Sequence, residues 1–210
     1  GTLSGLFAPE RVAVVGATDR EGSVGRAILE NLGAFDGDVV AVNPNREEVL
    51  GYRCYPDVAS VDGSVDLAVV VVPPSVAIPV VREAAEAGVE NVVVVTAGFS
   101  ETGADGASRE GELKTVAAEY DLNLVGPNCL GVMNTTVDMN ATFGPEMALP
   151  GSVSFMSQSG AFITAVLDWA ADQGIGFKDV VSLGNKAVLD ETDFVREWGD
   201  DPDTDVILGY

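Results

Sequence analysis

The stretch Val12-Ala-Val-Val-Gly16-Ala-Thr-Asp-Arg-Glu-Gly22-Ser-Val-Gly25 sets the fold. An apolar run ends at a glycine, a short polar loop follows, and a small-residue helix start continues to Leu32. The order reads as strand, glycine-rich turn and helix N-terminus. The unpaired backbone N–H groups of such a turn, with the positive end of the helix dipole behind them, suit a phosphate. The same glycines also serve a plain βα turn that needs them only for backbone shape.

Outward from this turn the pattern repeats. Residues 12–15 read as a strand, 23–33 as a helix, 38–42 as a second strand and 52–55 as a short extended segment. Residues 65–72 form a buried strand stopped by Pro73-Pro74. Ser75 is placed to cap a helix that puts Val76, Val80, Val81 and Ala84 on one face and ends at Gly88. Residues 92–95, 109–120 and 123–125 continue as strand, helix and strand. Alternation on this scale predicts an α/β fold, a parallel sheet with helices on both faces. Residues 132–150 read as irregular, broken by Gly144-Pro145 and Pro150-Gly151. A domain boundary is therefore expected near residue 146, giving domains 1–145 and 146–210. In the second, residues 151–156 read as a strand and Ser157-Gln-Ser-Gly160 as a turn. The following helix is expected to bury Phe162, Ala165, Val166, Trp169 and Ala170. Segments 180–183, 191–198 and 206–208 complete strand, helix and strand. A sheet of three strands ending at Tyr210 reads as part of a longer protein.

Composition bounds the function. The chain of 210 residues carries 33 acidic and 11 basic residues, a net charge of −22. Only Lys114, Lys178 and Lys186 are lysines. Such a surface argues against nucleic acid and against an anionic membrane. It fits a cell with molar internal salt, where screening shrinks to roughly 3 Å. No apolar run is long enough for a membrane span and no leader peptide is visible. Cys54 and Cys129 make no disulfide framework, so a reducing cytoplasm is the expected setting. The chain has no histidine, which excludes Ser-His-Asp and Cys-His catalysis and histidine metal sites within these residues. No metal site is expected. The arginines Arg11, Arg20, Arg26, Arg46 and Arg53 lie within the first 53 residues, a local exception that an anionic ligand would explain.

The ligand class follows from what stands after the second strand. A conventional NAD site has closely spaced glycines and an acid there for the ribose hydroxyls. Here Gly16, Gly22 and Gly25 are more loosely spaced, and Asn43, Pro44 and Arg46 follow the strand. An arginine in that place fits a ribose phosphate, so NADP and coenzyme A (CoA) both fit better than NAD.

Gly16-Ala-Thr18, Gly22-Ser-Val-Gly25, Val42-Asn-Pro44, Val72-Pro-Pro74, Gly126-Pro-Asn-Cys129, Ser157-Gln-Ser-Gly160 and Ser182-Leu-Gly-Asn-Lys186 occur in that order. As an ordered set they resemble the NDP-forming acyl-CoA synthetases, relatives of the succinyl-CoA synthetase α subunit, over essentially the whole chain. The resemblance implies a Rossmann-like CoA-binding domain followed by the first part of a flavodoxin-like domain. It implies that Gly16, Thr18, Asp19, Arg20 and Glu21 line the CoA phosphate loop, with Asp19 and Glu21 acting through backbone N–H. Arg46 takes the place of a basic CoA contact, Val72 and Pro73 wall the pocket, and Val95, Thr96 and Ala97 touch CoA at a strand end. Asn128 and Cys129 line the pocket, Cys129 as a structural thiol rather than a nucleophile. Ser157, Gln158, Ser159 and Gly160 hold the phosphoryl group at the second helix end; without the resemblance, this turn reads as an ordinary serine cap.

The implied reaction converts acyl-CoA, ADP and phosphate to acid, CoA and ATP through an acyl phosphate and a phosphohistidine. No catalytic residue is expected in this chain, the histidine being placed beyond Tyr210. ATP or ADP, Mg²⁺ and an ATP-grasp β-type part, fused or separate, are likewise expected outside it, with an oligomer in the full protein. Gln158 and Thr164 stand where succinyl-CoA synthetases have arginine and tyrosine. This points away from succinate and toward ADP-forming synthetases of acetate or another small carboxylic acid. Two alternatives stay open: a non-catalytic CoA- or acyl-CoA-sensing regulatory region, such as one fused to a protein acetyltransferase, and an NADP-dependent oxidoreductase.

Overall fold

A computed structural model describes residues 2–210. The chain opens with a single turn of helix, α1 (Ser4–Phe7), and enters β1 (Arg11–Val15), α2 (Val24–Asn31) and β2 (Asp38–Val42). A small hairpin, β3 (Glu48–Val49) and β4 (Tyr52–Tyr55), precedes β5 (Leu67–Val70), α3 (Pro74–Glu86), β6 (Asn91–Val94), α4 (Ala104–Glu119) and β7 (Asn123–Val125). These strands form a seven-stranded sheet in the order β3-β4-β2-β1-β5-β6-β7. All its pairings are parallel except β3 with β4.

Both faces of this sheet are covered. Val12 and Val14 of β1 join a core beneath α2, while Ala13 and Val15 join one beneath α3 and α4. Alternate residues of one strand point to opposite faces, so a near-continuous apolar run is what a doubly covered strand requires. The chain runs from β1 to β2 on one side and then crosses to β5 on the other. The carboxyl ends of β1 and β5 therefore flank a topological switch point, where open α/β sheets leave a crevice.

The second sheet begins earlier than the sequence indicates. Within residues 132–150, expected to be irregular, lies all but the first residue of the antiparallel hairpin β8 (Gly131–Asn134) and β9 (Met139–Thr142). β10 (Pro150–Ser157), α5 (Gly160–Gln173), β11 (Phe177–Ser182), α6 (Glu191–Gly199) and β12 (Val206–Gly209) follow, in a five-stranded sheet ordered β12-β10-β11-β8-β9. Sheet membership thus changes between Val125 and Gly131, ahead of the boundary expected at residue 146. Both hairpin strands are buried at all four positions, so no alternation of apolar and polar residues marks them.

Four expectations about the helices are corrected. Pro73, not Ser75, is the N-cap of α3, with Pro74 at its first position. There a fixed φ and a missing N–H cost nothing. The buried face of that helix is Ala77, Val81 and Ala84, and Val76 is exposed. Helix α4 starts at Ala104 rather than 109. In α5 the buried face is Ile163, Leu167 and Ala170, whereas Phe162 and Trp169 are 37% and 58% exposed. Phe162 instead stacks on Tyr210, with centroids 4.1 Å apart. Apolar side chains surround most of α5, so periodicity alone does not select its inner face.

Candidate functional site

The carboxyl ends of β1, β2 and β5 open on a cavity of about 1400 Å³. Its first wall is the loop after β1. Gly16 has φ 95°, and the N–H groups of Gly16 and Ala17 both donate to the Val42 carbonyl, at 3.0 and 3.3 Å. A Cβ on Gly16 would lie 3.0 Å from the Val72 nitrogen, and one on Gly25 would lie 2.9 Å from the Gly16 carbonyl oxygen. Both glycines are thus required for packing α2 against the ends of β1 and β5. Gly22 faces open space at φ 75°. The Asn43 amide donates to the Ala17 carbonyl at 2.9 Å and props the loop from β2. Ser23 caps α2: its hydroxyl oxygen accepts from Arg26 N–H at 3.3 Å and its hydroxyl donates to the Arg20 carbonyl at 2.6 Å. One of the helix's first N–H groups is satisfied in this way. The others have no intrahelical acceptor and suit an anion.

The arginines of this loop differ in what they hold. Arg20 lines the cavity and makes no ion pair among the described residues. Arg26 donates to Glu30 and to the Asp19 carbonyl, both at 2.7 Å. Glu30 raises its pKa further. Arg46 donates from both terminal nitrogens to the two carboxylate oxygens of Asp19, each at 3.1 Å.

The opposite wall is the turn between β10 and α5. Ser157 is fully buried, and its hydroxyl donates to the Ser159 carbonyl at 2.8 Å while accepting from Ser159 N–H. Gln158 N–H donates to the Tyr210 carbonyl at 3.0 Å. Ser159 caps α5 by accepting from Phe162 N–H at 3.2 Å. The start of α5 presents Gly160 and Ala161 to the cavity, beside Gln158 and Thr164. The floor comes from loops after β5, β6 and β7. Thr96 donates to the Val72 carbonyl at 2.7 Å and ties two of these loops together. Cys129 is buried, its thiol set against the Val94 carbonyl at 3.4 Å. Burial pushes its pKa up to about 12, so it stays a thiol at neutral pH. Asn128, at φ 56°, donates to the Asn185 side-chain oxygen, and Asn185 in turn donates to Glu110.

One cavity therefore gathers most of the residues singled out by sequence. Gly16, Thr18 and Arg20 line it from the first turn, and Gln158 and Gly160 from the second. Val72, Pro73, Val95, Thr96, Ala97, Asn128 and Cys129 line it between them. Asp19, Glu21 and Arg46 lie outside its lining, as do Ser157 and Ser159, which are occupied in holding the second turn's shape. Sequence reasoning missed Asn43, Ser23, Phe143, Gly144 and Ser182, which line it as well. Asn43 was legible only as the absence of an acid, and Phe143 falls in the stretch read as irregular. Mixed apolar walls with an anion-seeking turn at each side can hold a long ligand, with separate polar ends. No cluster of potential metal ligands occurs among the described residues, and no helix there is long and apolar enough to cross a membrane.

Residues 10–135 match the family described as CoA binding domain, and residues 150–210 match the Succinyl-CoA ligase like flavodoxin domain. The chain is 52% identical to acetate–CoA ligase [ADP-forming] I of Archaeoglobus fulgidus, over 98% of this chain and 30% of that protein. It is 38% identical to the alpha subunit of acetate–CoA ligase [ADP-forming] I of Pyrococcus furiosus, over 100% of this chain and 46% of that subunit. Among solved structures, the dinucleotide forming acetyl-coenzyme A synthetase 1 of Ca. Korarchaeum cryptofilum in complex with phosphate and ADP superposes with a TM-score of 0.94. That match has 41% identity and covers 99% of this chain and 45% of that one. The chain spans less than half the length of each of these relatives. It belongs to the CoA binding domain family, in the form found in the alpha-type part of ADP-forming acetate–CoA ligases.

Proposed function

We propose that this chain is the CoA-holding, α-type part of an ADP-forming acyl-CoA synthetase. The single observation that carries the reading is that both βα turns open on one cavity. A CoA thioester laid along it would have its nucleotide phosphates at the first turn and its acyl end near the second. Thr18 would receive the phosphates through its backbone N–H and Arg20 through its guanidinium, beside Gly16, whose own N–H is engaged with the Val42 carbonyl and which keeps the turn free of a side chain. Arg46 would take the ribose phosphate. Val72 and Pro73 would wall the carrier, with Val95, Thr96 and Ala97 at the β6 end and Asn128 and Cys129 near the thioester. Gln158 and the N–H groups of Gly160 and Ala161 would hold the phosphate that attacks the acyl group. Fixed dipoles aimed at developing charge are what such a transfer needs. Acyl phosphate and free CoA would leave this step. Transfer of the phosphoryl group to a histidine and then to ADP would fall to the rest of the protein, with Mg²⁺ and the ATP-grasp part. We further propose a CoA-binding unit ending where sheet membership changes, a small carboxylic acid as product, an oligomeric whole protein and a cytoplasm rich in salt.

Calorimetric titration of this chain in high salt tests the reading. CoA binding with none for NADP is the expected result, and the reverse would sink it. Replacing Arg46 with alanine should weaken CoA several-fold more than dephospho-CoA, and equal losses would remove Arg46 from the ribose-phosphate site.

A further inference from the structure

Three arginines surround the first turn, and a single acid engages two of them. Asp19 is pinned at both ends: its carbonyl accepts from Arg26 at 2.7 Å, and its carboxylate meets the Arg46 fork at 3.1 Å on each side. Arg20, next in the chain, lines the cavity and makes no ion pair among the described residues. The residue expected to touch a phosphate through its backbone thus fills, with its side chain, the fork that a phosphate would use. We infer that Asp19 is a specificity-determining residue, an internal anion that a phosphate ligand must displace from Arg46. This rests on the CoA reading of the cavity.

The pair is built to be displaced. Both side chains are about half exposed, at 45% and 46%, and exposed ion pairs are weak. A phosphate monoester carries close to two charges at neutral pH, against one for the carboxylate, and offers the same bidentate geometry. It wins the fork. A ligand without that phosphate gains nothing from Arg46 and leaves the pair closed, so Asp19 widens the gap between phosphorylated and unphosphorylated ligands only through Arg46. Direct repulsion between Asp19 and the ligand would act whether Arg46 is present or not, which separates the two mechanisms.

The experiment is a double-mutant cycle on this chain, titrated calorimetrically with CoA and with dephospho-CoA, using wild type, Asp19→Asn, Arg46→Ala and the double variant. Asp19→Asn should tighten CoA about two- to fivefold, leave dephospho-CoA unchanged, and do nothing in the Arg46→Ala background. The tightening should shrink in molar salt, as screening weakens the internal pair. The inference is overturned if Asp19→Asn tightens CoA equally without Arg46, tightens both ligands alike, or leaves CoA unchanged. Failure of wild type to bind CoA at all would overturn the CoA reading itself, and the role of Asp19 with it. Overturning the role of Asp19 with CoA still bound leaves that reading standing.

Discussion

The two βα turns that face each other across the cavity solve one problem in opposite ways. The first is long, spans residues 16–25, and is shaped by what its glycines leave out. A Cβ at Gly16 or Gly25 would crowd backbone atoms at about 3 Å. The second is four residues long and shaped by what its serines put in: Ser157 and Ser159 satisfy the turn's own groups. The first keeps its polar equipment on side chains around the loop and can wrap a large ligand. The second is wired internally and offers chiefly a helix end. Glycine and serine are both called turn residues, yet one supplies space and the other supplies hydrogen bonds.

The largest test of this contrast is a methyl group placed on each side. Gly25→Ala should cost about 1–3 kcal/mol, because its Cβ would meet a backbone oxygen that has no freedom to move, and should weaken CoA more than tenfold. Gly160→Ala meets the Leu130 Cβ at 3.3 Å and should stay within about 1 kcal/mol of wild type, helped by alanine's helix propensity. Chemical denaturation and calorimetry measure both, and equal losses would break the comparison.

A second difference between the halves lies in pH. Asp179 on β11 is 3% exposed, accepts from the Trp198 indole N–H at 3.1 Å, and has a second oxygen with no partner among the described residues. Burial holds its pKa up to about 7, with Lys178 and the indole opposing. Its folded pKa lies above its unfolded value, so the folded state holds the extra proton. The penalty is absent below about pH 4, grows as pH rises toward 7, and is complete above it. Asp179→Asn should therefore raise the melting temperature at pH 8, by an amount equivalent to about 1–3 kcal/mol, and raise it less at pH 5. A difference that stays constant with pH would show that Asp179 imposes no such penalty.

The smallest test compares the caps. Ser159→Ala should cost about 1 kcal/mol of stability and leave CoA affinity unchanged, since Ser159 does not line the cavity. Ser23→Ala should cost about the same and also weaken CoA a few-fold, because Ser23 lines the cavity and holds the Arg20 carbonyl. Matching effects on CoA would mean that the two turns are less distinct than their hydrogen bonds imply.

Much of this arrangement was legible from residue type. Gly16 and Gly25 announced a turn, and the missing acid after β2 turned attention to Arg46. The apolar run 92–95 puts Thr96 and Ala97 just past a strand end, whereas their contact with CoA and the place of Cys129 in the pocket come from the resemblance. What was hidden depends on partners distant in sequence. β8 and β9 are strands because Gly131 lets the hairpin close against Ala141, whose carbonyl oxygen lies 2.0 Å from where a Cβ would stand. Helix α5 offers apolar side chains on several sides, and only the sheet decides that Ile163 and Leu167 face inward. The pairing of Asp19 with Arg46 joins residues 27 positions apart, and no local pattern reports it.

Leu6 and Phe7 of α1, Ile28 and Leu29 of α2, Met139 and Ala141 of β9, and Phe194 and Trp198 of α6 share one apolar core. Two family patterns thus meet inside a single body of packed side chains, with Phe7 against both Phe194 and Trp198. The consequence is for modularity. Where sheets abut through water, evolution and protein engineers can exchange one half for another's. Here a transplanted half would arrive with the wrong shapes for its neighbour, so the two must drift together, and a chimera would need its seam redesigned before its chemistry.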